Sequence, residues 1–63
     1  LLRDFPWISG FWAELGASEQ ARVGRAFARR GMRDGIEAEW DRMGLPDRVL
    51  LLFGPGRGAA AAN

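Results

Sequence analysis

SEQARVGRAFARRGMRDGIEAEWDRM, residues 18–43 of a 63-residue chain, governs how everything else can pack. Begun one residue earlier and read at alternating steps of four and three, it aligns Ala17, Ala21, Gly24, Ala28, Gly31, Gly35 and Ala38. Such heptad-type spacing marks one face of a helix. Because these are the smallest side chains available, the face predicts that a second helix can approach closer than the usual separation of about 8–10 Å. Ser18 is a suitable N-cap, and Glu19 suits the positive end of the helix dipole. At the other end, Gly44 can take a left-handed C′ position, Leu45 can fold back, and Pro46 forbids continuation. The expectation is one helix over about 18–43. The alternative is a break near 31–35, with Asp34 capping a second helix and Glu37 at N3. Val23 and Phe27 flank one side of the small-residue line, whereas Met32, Ile36, Trp40 and Met43 flank the other, and that shift favours the alternative.

Outside this stretch the signals are shorter. Phe5, Ile8, Phe11, Trp12 and Leu15 recur at helical spacing, which predicts an amphipathic helix over 4–15. Asp4 would be its N-cap, Pro6 would fall in its first turn, and Gly16 would end it. Val49 to Phe53 is an apolar run, read as a short helix after Pro46 and Asp47, with an edge strand as the alternative. Gly54 to Asn63 is Gly/Pro- and then Ala-rich, and reads as a mobile tail. The fold class is therefore all-α: a small bundle of three to four helices forming one domain over 1–53, with a tail at 54–63.

Composition limits the function classes. All nine basic residues are Arg, and Lys, His, Cys, Tyr and Thr are absent. General acid–base catalysis draws chiefly on His, Lys, Tyr and Cys besides carboxylates, so an enzyme is not expected. Ser9 and Ser18 have no base in the sequence to activate them. Asp34, Glu37 and Asp41 could share a helical face, but without a metal-site pattern they read as solvated acids, and no cofactor or metal is expected. GPGRG at 54–58 lacks the Lys-Ser/Thr of a phosphate loop. No apolar run approaches the roughly 18 residues of a transmembrane span, and Leu1–Leu15 lacks the basic start of a secretory signal, so the expected location is cytoplasmic. A chain of this size buries only about 60% of its unfolded surface. With neither disulfide nor zinc ligands, association with another chain is the remaining way to bury more.

Charge is segregated. Between Ser18 and Arg33 five arginines (Arg22, Arg25, Arg29, Arg30, Arg33) oppose one acid, Glu19. Between Asp34 and Asp47 five acids (Asp34, Glu37, Glu39, Asp41, Asp47) oppose one arginine, Arg42. Two copies laid antiparallel, or one chain folded at 31–35, would set basic against acidic. The functional expectation is a non-catalytic protein–protein interaction module, a homo-oligomer or an accessory subunit on a larger protein. Close contact would come from Ala21, Gly24, Ala28 and Gly31, and buried area from Trp12, Phe27, Ile36 and Trp40. Orientation would come from Arg22, Arg25, Arg29, Arg33, Glu37 and Asp41. The rival is nucleic-acid binding through an Arg22/Arg25/Arg29/Arg33 face, opposed by the acidity of the following segment and a net charge of only +1.

Overall fold

Large side chains, not small ones, set the buried faces. In the computed structural model, which describes residues 2–54, two 3-10 turns (Pro6–Ser9 and Trp12–Glu14) precede three helices. These are α1 (Ala17–Arg29), α2 (Ile36–Arg42) and α3 (Leu45–Phe53). The all-α expectation holds, and the apolar run at 49–53 is helix. Apart from Gly54, the tail expected over 54–63 lies outside the described residues. α1 packs on α3, α3 on the first 3-10 turn, and α2 on the second. Ile8, Leu15, Val23, Ala26, Phe27, Trp40 and Leu51 form the core. Ile8, Val23 and Trp40 are its fully enclosed members.

The segment 18–43 is two helices, not one. α1 ends in a Schellman motif: the Met32 N–H donates to the Phe27 carbonyl (3.0 Å) and the Gly31 N–H to that of Ala28 (2.9 Å). Gly31 supplies the left-handed residue (φ 81°), and Met32 packs back against the core beside Phe27. Gly35 is also left-handed (φ 71°) and starts α2, so Asp34 is not the cap. Gly44 is extended (φ −75°, ψ 166°) and serves as the N-cap of α3, so the Schellman turn expected there sits thirteen residues earlier. α1 likewise starts at Ala17 with Gly16 as N-cap, not Ser18. Glu19 stabilises this start by accepting the Gly16 N–H at Oε1 (2.6 Å).

The predicted helix over 4–15 does not form. Gly10 (φ −86°, ψ 161°) and Phe11 (φ −72°, ψ 157°) are extended and split it into the two 3-10 turns. Phe5, not Asp4, precedes the first, without a side-chain cap. Phe11 turns outward and is 59% exposed. The backbone groups freed by the break are satisfied from elsewhere in the chain, which is why the break is tolerated.

Candidate functional site

Arg48 supplies two of those bonds. It lies on the first turn of α3, only 5% exposed, three and four residues before Leu51 and Leu52 on the inward face. Its Nη1 donates to the carbonyls of Ile8 (2.6 Å) and Gly10 (2.9 Å), and its Nε to that of Trp40 (3.1 Å). The guanidinium also lies over the Trp40 ring, 4.5 Å from its centroid. Burial pushes the Arg48 pKa below its ordinary value, and the charge of Asp41 opposes that fall. Trp40 stacks on Trp7 and donates its Nε1–H to the Gly10 carbonyl (2.9 Å). Asp41 accepts the Trp12 N–H (2.7 Å), and Gln20 donates to the Trp12 carbonyl (3.0 Å). Every buried side-chain polar atom among the described residues has a partner. This network is structural: its donors are committed to backbone, and none is turned toward an open cleft.

The residues of the small-side-chain line are scattered by the break. α1 buries Val23, Ala26 and Phe27, and this face lies about one residue step, roughly 100°, round the helix from the line. Ala17, Ala21, Gly31, Gly35 and Ala38 are exposed, and Gly24 and Ala28 half-buried. Only at Gly24 is a neighbour close from another element: Ile36 Cδ1 lies 3.8 Å from where a Cβ would stand. Among the residues expected to supply buried area, Phe27 and Trp40 are buried, whereas Trp12 and Ile36 are half-buried.

The charged groups are not brought together either. α2 packs on the second 3-10 turn instead of lying along α1, so the basic and acidic halves form no ion pair with each other among the described residues. The pair that does form is Arg42–Glu39 (2.9 Å), within α2. Arg22, Arg25 and Arg29 share one face of α1, but Arg33 lies in the link beyond it, so the four-arginine face is reduced to three. Arg22 sits over the rings of Phe5 (5.3 Å) and Phe53 (5.5 Å), where it covers apolar surface. Glu37 is exposed on α2, and Asp41 is committed to Trp12. Among the described residues no three carboxylates converge as a metal site. No helix there is long and apolar enough to cross a membrane.

What the fold does create is an open groove of about 350 Å³ where the end of α1, α2 and α3 meet. Its apolar surface includes Met32, Met43 and Leu50, and its rim carries Arg30, Glu39 and Asp47. Leu50 is 45% exposed, and neighbouring Leu45 on the same helix is 38% exposed. Arg30 donates to the Leu50 carbonyl (2.9 Å) and so fixes one wall. The methionines are flexible and polarizable, suited to moulding round an inserted side chain. The sequence signal for this surface is divided: Met32 and Met43 stand out as flanking residues, while Leu50 lies within an undivided apolar run. Arg48 is not singled out by the sequence, because an arginine beside leucines on a helix is ordinarily a solvated one. In comparisons with protein-family models, curated proteins and solved structures, none matches this chain.

Proposed function

We propose that this chain is a non-catalytic protein–protein interaction module, a homo-oligomer or a small accessory subunit, whose contact surface is the groove at Met32, Met43 and Leu50. One observation carries the reading: a groove of mixed lining, with Met32, Met43 and Leu50 beside Arg30, Glu39 and Asp47, stands open, while the core beneath it is complete. An apolar centre with a polar, charged rim is the anatomy of a protein interface. The small-residue line of α1 supports the reading less directly: the break after Arg29 cuts it short, and of its glycines only Gly24 has a neighbour within 4 Å, Ile36. The arginine face supports nucleic-acid binding less well. It is three residues long, one of them, Arg22, lies over the Phe5 and Phe53 rings, and the net charge of the chain is only +1.

The test is a photo-crosslinking amino acid at position 50, with the same group at the exposed position 21 as control, in cells that make the protein. A protein adduct at 50 but not at 21 is the expected result. Adducts at neither position, or equally at both, refute the groove as a contact surface.

A further inference from the structure

Resting on that reading, we infer that the occupant of the groove is a second copy of this chain, docked about a two-fold axis so that Arg30 of each copy meets Asp47 of the other. The argument is charge complementarity within one patch. Arg30 and Asp47 border the same groove, and neither belongs to an ion pair among the described residues. Arg30 reaches only a neutral carbonyl, that of Leu50. A two-fold interface apposes a surface with itself, so it needs both signs on one patch, placed to exchange. This rim has them. A partner of uniform charge would leave either Arg30 or the pair Glu39 and Asp47 facing its own sign. In such a dimer Leu50, 45% exposed in the single chain, would add apolar contact across the groove. An interface centred on one shallow groove is at the small end of the range, so a weak dimer is expected.

Sedimentation equilibrium of the full chain from about 1 to 500 µM tests this, with Leu50→Glu and two charge reversals, Arg30→Glu and Asp47→Arg. Wild type should show a monomer–dimer equilibrium, and each variant alone should weaken it at least tenfold. All three positions are exposed, and circular dichroism of each variant serves as the check on folding. The deciding measurement mixes the two charge variants. In a heterodimer each reversed side chain meets an opposite charge, so the mixture should dimerise at least tenfold more tightly than either variant alone. Pairing within a chain cannot produce that result. A wild-type monomer throughout the concentration range overturns the inference, as does a mixture no tighter than its components. A different protein crosslinked at position 50, with no self-adduct, overturns the second copy while leaving the interaction-module reading in place.

Discussion

Replacing Arg48 by Met asks whether one buried guanidinium holds the N-terminal segment down. Met keeps most of the aliphatic stem and removes the charge. The Gly10 carbonyl keeps its bond from Trp40 Nε1, and the Trp40 carbonyl keeps one from the Met43 N–H (3.1 Å). The Ile8 carbonyl loses the Arg48 donor in a buried residue. An orphaned buried acceptor costs about 1–3 kcal/mol, and the charge-assisted bonds add about 1.5–3 kcal/mol each before the recovered desolvation is set against them. The net loss expected is about 2–3 kcal/mol, rising to about 4 kcal/mol for Arg48→Ala, which also empties the space of the stem. A domain of this size has about 3–9 kcal/mol in total. Urea unfolding followed by tryptophan fluorescence, with a slope near 1 kcal/mol/M, should therefore show the midpoint of Arg48→Met falling by about 2–3 M. Arg48→Lys should fall nearly as far, because an ammonium lacks the fork that reaches three carbonyls. A midpoint for Arg48→Met within about 0.5 M of wild type would show that a neutral side chain serves as well, and would refute the guanidinium as the fastener.

Gly31→Ala should destabilise by about 1–2 kcal/mol, lowering Tm by several degrees, because the left-handed conformation is strained for a side chain. Gly24→Ala should instead stabilise by up to about 1 kcal/mol, since its Cβ meets Ile36 at an ordinary 3.8 Å and helix propensity improves; a loss in the same melt would restore a close-packing role for that position. Phe11→Ser should stay within about 0.5 kcal/mol of wild type, whereas Ile8→Ala should cost about 2–5 kcal/mol, and equal losses in urea would favour the unbroken helix over 4–15. The Arg48 pKa is lowered on folding, so the fold disfavours the charged form, and stability from this group rises only as pH climbs through that pKa. That window lies above working pH, so the difference between wild type and Arg48→Met should be flat from about pH 4 to 9; a slope there would implicate another titrating group.

The sequence carried the fold class because apolar residues at helical spacing, Pro46 and the glycines are local signals. It misplaced the elements where non-local bonds overrule spacing. Phe5, Ile8, Phe11, Trp12 and Leu15 have helical periodicity, yet donors thirty to forty residues away satisfy the backbone in a different conformation. The small-residue line was real as an alignment, but it did not set the packing within the chain. Burying Val23 and Phe27 removes far more apolar area than close backbone approach does, so those residues turned α1. Gly31 was ambiguous because a helix-interior glycine and a left-handed C′ glycine look alike until Met32 is seen folding back. The groove was not legible because it belongs to no single element: Met32, Met43 and Leu50 converge only after the chain has turned twice.

The bonds from Arg48 to Ile8 and Gly10 span forty and thirty-eight residues. The opening segment therefore has no conformation of its own to hold while the rest is being made. During synthesis its two aromatic-rich turns lack these donors until α3 has left the ribosome. The N-terminal turns thus depend on α3 for their partners, and a chain truncated before Arg48 should lose them first.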